Sequence, residues 1–363
     1  MTSMLKKLGT CSVLALVAAV STPAMAAGTL SGTNVLNTAT VSYSVGSVAQ
    51  PNISASNTFT VDQKVNLTVA EVGNVTTSVS PGATAQVTTF TVTNNSNSVI
   101  DIGLQVTQSA NGTPAPHGGS DSFDVLAPLM YRDTNNNGVY NAGTDVAVTY
   151  LDELAADASA TIFIVANIPV GQANNSIAEV NLIGTAKAGG TSGTEGAALT
   201  ATAGANTSGV DTVLADAAGA VTGDIAADGR HSDDDDYTVS AATLTVAKYS
   251  QVLWDPINGT TNPKMIPGAI VQYCIAVSNA SGGANATSVS VNDTLPVQVS
   301  GTLPATPGYT PPVPTVNGSG TTTTCSYTGG SAGGTVNATT ATAPLNDVTP
   351  GSTLTFTFPV VVL

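Results

Sequence analysis

Apolar residues in this chain recur mostly at alternate positions, with no sustained helical spacing. Val87, Phe90 and Val92 form one such run, Ile100, Ile102, Leu104 and Val106 form another, and the polar stretch NNSNS lies between them. A period near two places one face of a strand on a core and the other toward solvent, so these runs predict paired strands joined by a turn. Further strands are predicted over residues 161–166, 177–188 and 355–361. The region after the leader adds strand-like material over 36–45, where Val41, Tyr43 and Val45 alternate, and over 53–61. Pro81-Gly82, Pro267-Gly268 and Pro350-Gly351 each precede a predicted strand. Such pairs mark tight turns, because Pro presets φ and Gly tolerates a positive φ. The only helix-like stretch, 151–158, has room for a single turn.

The pattern repeats. The tetrapeptide LTVA occurs at 67–70 and again at 244–247, and PGATAQVTTFTVTN (81–94) is matched by PGAIVQYCIAVSN (267–279) with one residue deleted. A third pair, LDELAADASATIF (151–163) and LNDVTPGSTLTFTF (345–358), follows in the same order. Three matches in one order predict two related units. Short strands at regular spacing with turn signals between them predict an all-β chain of two immunoglobulin-like β-sandwich domains. The expected division is a signal peptide over 1–26, an N-terminal strand segment over 27–63, sandwiches over 64–188 and 243–363, and an acidic Gly/Ala/Thr-rich loop or linker over 189–242.

Composition narrows the function. The formal charge of −15, with 23 acidic and 8 basic residues, lacks the clustered Lys and Arg of a phosphate footprint, so no nucleic-acid partner is expected. Two histidines offer little for acid–base chemistry, and no enzyme is expected. Lys6 and Lys7, the apolar run 13–20 and the small-residue site Ala24-Met25-Ala26 have the layout of a cleavable export signal. The apolar run is too short for a membrane span, and no later segment has 18 consecutive apolar residues, so no transmembrane segment is expected. Cleavage would remove Lys6, Lys7 and Cys11, taking the formal charge from −15 to −17 and leaving Cys274 and Cys325. Two cysteines in an exported chain are expected to pair, closing a loop of about fifty residues that contributes roughly 4 kcal/mol in the chain-entropy model.

The segments NTATVSYSV (37–45), LTVAKYSQVLWDP (244–256), MIPGAIVQYCIAVSNASGG (265–283), VSVNDTLP (289–296) and VTPGSTLTFTF (348–358) together resemble the bacterial conserved-repeat family of immunoglobulin-like surface proteins. The resemblance spans nearly all of the chain after residue 26. It implies extracellular display and a sandwich repeat, and it brings no catalytic residues with it.

One motif carries metal chemistry. Asp133, Asn135, Asn137 and Asn141 place oxygen side chains at loop positions 1, 3, 5 and 9, Gly138 supplies the sharp turn at position 6, and Val139 offers its carbonyl at position 7. That spacing wraps a chain around Ca2+. Thr144 stands where an EF-hand-type loop has its bidentate Glu, Asp145 comes one residue late, and no flanking helices are predicted. With so few charges, binding in the ~0.1–1 mM range of extracellular modules is expected. The same residues also read as an Asn/Gly-rich turn whose side chains bond the local backbone. Asp233 to Asp236, with Asp224 and Asp228 upstream, read as a solvated acidic loop or, alternatively, as a contact for a divalent cation or a basic partner. Trp254, the only tryptophan, reads as cover for a core edge or as a sugar-stacking platform.

These features point to an exported structural subunit of an extracellular assembly or filament, self-associating into a homopolymer. A monomeric adhesin or glycan-binding module is the alternative. The first unit has a strand candidate at 177–188 after its 161–166 strand, whereas the second has none after 355–361. The second unit is therefore expected to be one strand short, and the N-terminal segment of a neighbouring copy is expected to complete it by β-strand addition. The alternatives within one chain are that the same segment extends its own first unit or that part of 189–243 completes the second.

Overall fold

The computed structural model of the chain describes residues 28–321 and 327–363, and every regular element there is a β-strand. The expected signal peptide lies outside these residues.

The first sandwich packs two five-stranded sheets. One runs in the order Val146–Ala147, Leu126–Arg132, Ser159–Asn167, Gln86–Asn94, Leu67–Glu71. The other runs Tyr150–Leu154, Ile100–Gln108, Ile177–Ala188, Arg230–Val239, Thr77–Val79. Phe90, Val92, Ile162 and Ile164 from the first face Ile100, Ile102, Val180, Leu182 and Tyr237 from the second in one core. Along Gln86–Asn94 burial alternates residue by residue, as the sequence pattern requires. Ile177–Ala188 is buried on both faces over most of its length, which suits its central place, and its buried Glu179 and Asn181 are hydrogen-bonded to Ser109.

The second sandwich is unequal. Its larger sheet has seven strands, with Leu244–Trp254, Ile270–Asn279, Thr353–Val362 and Thr315–Gly320 as successive neighbours. The sheet facing it has only three, in the order Ser290–Thr294, Thr340–Pro344, Thr335–Val336. Val271, Ile275, Val277, Phe356 and Phe358 pack there against Ala341, Ala343, Leu345 and Val348.

The repeat has a direct structural counterpart. Leu67–Glu71, Gln86–Asn94 and Ser159–Asn167 neighbour one another in the first sandwich, and Leu244–Trp254, Ile270–Asn279 and Thr353–Val362 do so in the second. The Asn that ends each middle strand plays the same part. Asn94 Nδ2 donates to Ser98 O and Leu154 O, and Asn279 Nδ2 donates to Ala284 O and Val348 O. Both side chains are buried, and each clamps two carbonyls from neighbouring segments, one of them buried.

The segment 189–242 differs from the expected loop. Thr212–Leu214 pairs in parallel with Gln63–Val65, and Arg230–Val239 pairs with Ile177–Ala188 over nine residues. The four aspartates therefore lie inside a strand. Asp is disfavoured in strands by propensity, but Tyr237 and Val239 anchor this one in the core and hydrogen bonds to its carboxylates hold the rest.

Candidate functional site: an exposed hairpin and an open groove

Residues 34–60 form a hairpin that stands apart from both sandwiches. Asn34–Val41 and Ile53–Thr60 pair only with each other, in the register Val35 with Phe59, Ala39 with Ala55 and Val41 with Ile53. Alternation puts those six residues on one face, along with the Asn37 and Asn57 pair, and leaves mostly Thr and Ser on the other. The apolar face is uncovered: Val41 and Ile53 are each 59% exposed and Phe59 is 52% exposed. Attachment is at the base, where Ser31 N donates to Asn97 O, Asn97 Nδ2 to Thr29 O and Thr60 N to Ser208 Oγ. An isolated two-stranded hairpin is marginal in water, and this one keeps an apolar face open to solvent.

The second sandwich offers a complementary feature. Leu244–Trp254 is an edge strand of its large sheet and Ser290–Thr294 is an edge strand of its small one. Between them runs a groove of about 280 Å3 lined by Leu244, Val246, Ile275, Val277, Val289 and Val291. Val246 at its rim is 67% exposed. Lys248 Nζ reaches across from one edge strand to Asp293 on the other, 2.7 Å from Oδ1 and 2.6 Å from Oδ2, and lies 4.5 Å from the centre of the Tyr273 ring. In the first sandwich Ile100–Gln108 is flanked on this side by Ile177–Ala188, paired over nine residues, and then by Arg230–Val239. No strand among the described residues takes those two places in the second.

The residues predicted to bind Ca2+ come together in the loop after Leu126–Arg132. Asp133 Oδ2 accepts from Gly138 N at 2.8 Å, and Asp145 Oδ2 accepts from Asn141 N at 2.6 Å. Asn141 Oδ1 is met by the side-chain amides of Asn135 at 3.0 Å and Asn137 at 2.6 Å, and Asn137 Oδ1 accepts from Val139 N. These are the local bonds of an Asx-rich turn. They also gather the side-chain oxygens that a cation would need, since a half-turn of the Asn135 and Asn137 amides presents oxygen in place of nitrogen.

The acidic strand works differently on its two faces. His231 Nδ1 accepts the Val69 N–H at 3.1 Å and Asp233 Oδ2 accepts the Glu71 N–H at 2.6 Å, so these side chains satisfy the free edge of Leu67–Glu71. Asp235 and Asp236 are buried beside His117, a residue that sequence reasoning passed over because its loop carries no spacing motif. Burial, reinforced by the nearby carboxylates of Glu71, Asp236 and Asp233, pushes the Asp235 carboxyl up to about 8 despite a hydrogen bond from the Asp236 backbone. Asp255 shows the opposite balance. It too is buried, which by itself would raise its carboxyl, but hydrogen bonds from Asn258, Lys264 and Ile257 hold it at about 2.

Trp254 stacks on Tyr309 with ring centres 6.0 Å apart and planes 9° from parallel, so one face of the indole is occupied within the chain. Cys274 is buried in Ile270–Asn279, and its expected partner Cys325 lies outside the described residues. Among the described residues no helix is long and apolar enough to cross a membrane.

No protein-family model and no curated protein matches the chain. Among solved structures it is similar to the C-terminal domain of the AgI/II polypeptide BspA of Streptococcus agalactiae, with 10% identity and a TM-score of 0.34 over 82% of this chain and 91% of that one. It is also similar to the CupB6 tip adhesin of Pseudomonas aeruginosa, with 10% identity and a TM-score of 0.22 over 82% and 88% of the two chains. A two-domain protein of unknown function from Bacteroides fragilis matches with 9% identity and a TM-score of 0.22 over 82% and 94%. Similarity this low says nothing about what the present chain binds.

Proposed function

We propose that this chain is an exported structural subunit of an extracellular surface assembly, joined head to tail by donation of the 34–60 hairpin of one copy to the second sandwich of the next. The observation that carries the proposal is the match between an unpaired hairpin with one uncovered apolar face and a sandwich whose smaller sheet lacks two adjacent strands. Donation would pair the free Ser290–Thr294 edge and cover the groove lined by Val246, Val277 and Val291. Fully burying a side chain such as Ile53 or Phe59 contributes about 1.5–3 kcal/mol, so the hairpin face can supply a stable contact. The hairpin and the groove are different surfaces, so the contact is heterologous and propagates. The leader-like segment over 1–26 and the expected pairing of Cys274 with Cys325 fit an exported chain.

Removal of residues 27–63 tests this. The shortened chain is expected to stay monomeric in light scattering under conditions where the full mature chain polymerises, and a peptide spanning 34–60 is expected to bind it and raise its melting temperature. Polymerisation of the shortened chain to the same extent would overturn the proposal.

A further inference from the structure

The first sandwich carries a second cluster whose chemistry is independent of assembly. Glu71, His117 and Asp235 each bring one ligand atom to within 4.8 Å of the others. His117 Nδ1 lies 3.8 Å from Asp235 Oδ1 and 3.3 Å from Asp236 Oδ2, and the His117 backbone N–H donates to that same Asp236 oxygen. Asp236 is 0% exposed, yet its Oδ1 has no hydrogen-bond partner, and His117 Nδ1 has none either. No Lys or Arg among the described residues forms an ion pair with Glu71, Asp235 or Asp236. A buried carboxylate oxygen without a donor is costly.

We propose that Glu71, His117 and Asp235 bind one divalent transition-metal ion of the zinc type, with the buried Asp236 holding His117 in place beside it. The donor set is one imidazole nitrogen and carboxylate oxygens, which suits Zn2+; Ca2+ and Mg2+ prefer oxygen alone. Ligands about 2.0–2.1 Å from a tetrahedral ion lie about 3.4 Å from one another, so His117 and Asp235, 3.8 Å apart, need to close by about 0.4 Å, and Glu71, within 4.8 Å of both, has to close further. The four residues come from three separate parts of the fold: the edge strand Leu67–Glu71 of one sheet, the connection between Ile100–Gln108 and Leu126–Arg132, and Arg230–Val239 of the other sheet. A bound ion would therefore tie both sheets of the first sandwich to that connection.

The test is Zn2+ titration of the chelator-treated mature chain by calorimetry, with thermal melting alongside, in constant millimolar Ca2+ so that the 133–145 loop is not the variable. Binding of one Zn2+ per chain and a rise in melting temperature are expected. His117→Gln and Glu71→Gln are each expected to weaken Zn2+ binding roughly a hundredfold or more. Asp235→Asn replaces a buried carboxyl with a neutral isostere, so its metal-free melting temperature is expected to hold while the Zn2+-induced increase disappears. That combination separates a lost ligand from a lost fold. The proposal is overturned if the wild-type chain takes up less than about a tenth of an equivalent of Zn2+, if His117→Gln and Glu71→Gln bind as the wild type does, or if the Asp235→Asn variant keeps the increase.

Discussion

The two sandwiches start from the same three motifs and are sealed differently. In the first, the edge strand Leu67–Glu71 is closed off by His231 and Asp233, which reach across from the covering sheet to take its Val69 and Glu71 amides. In the second, the corresponding strand Leu244–Trp254 borders an open groove, with Leu244 and Val246 exposed. What separates them is two long strands, Ile177–Ala188 and Arg230–Val239, which flank Ile100–Gln108 in the first and have no counterpart beside Ser290–Thr294 among the described residues. A sequence repeat thus gives the same half-sandwich twice, and the covering strands decide whether that half is finished or is left with a free edge.

The difference can be probed by damaging each core separately. Phe90 and Phe356 are both wholly buried, one in each core. Phe90→Ala is expected to lower only the first sandwich's unfolding transition in calorimetry, and Phe356→Ala only the second's, each by about 3–5 kcal/mol. A single transition shifted equally by both would mean that the two cores unfold as one. Next in size are the shared clamps: Asn94→Ala and Asn279→Ala each take a donor from two carbonyls, one of them buried, at a cost of about 1–3 kcal/mol by denaturant titration. Unequal costs would show that the repeat has diverged at this point.

Acid should also separate the halves. Asp255 is held at about 2 in the folded chain, below its ordinary value, so it contributes stability above pH ~4 that is lost as pH falls through about 2. The second sandwich of the wild type is expected to lose stability over that window, and Asp255→Asn to flatten this loss. The smallest effect concerns the first sandwich alone. If Asp133, Asn135, Asn137, Asn141 and Asp145 hold Ca2+ with the carbonyl of Val139, an ion concentration ten times the dissociation constant raises stability by about 1.4 kcal/mol, and Asp133→Ala abolishes the gain. Identical melting in Ca2+ and in chelator would leave the loop an Asx turn.

Much of this architecture was legible in the sequence because it is written in periodicity and turns. The repeated LTVA and Pro-Gly motifs mark equivalent strands in the same sheet order, and Gly82, Gly268 and Gly351 adopt the positive φ that their turns require, at 77°, 85° and 76°. The acidic strand was not legible. Four consecutive carboxylates read as solvated because nothing local shows that His231 and Asp233 meet a strand edge more than 150 residues away in sequence. The only hint was the alternation of Tyr237 and Val239 directly after the run. His117 was equally silent, since the cluster with Glu71 and Asp235 is assembled from three distant segments and has no spacing to detect. The 133–145 loop was legible as a local motif, because the bonds of its Asp and Asn side chains join residues close in sequence.

The central claim, that the hairpin of one copy fills the groove of another, is tested most directly by mixing two crippled chains. One lacks residues 27–63 and keeps the groove; the other keeps the hairpin and carries Val246→Glu and Val291→Glu in the groove. Each is expected to be monomeric alone in size-exclusion chromatography with light scattering, and an equimolar mixture is expected to form a one-to-one heterodimer that goes no further. A mixture that stays monomeric while both chains are folded, or a chain lacking 27–63 that assembles by itself, would contradict hairpin donation.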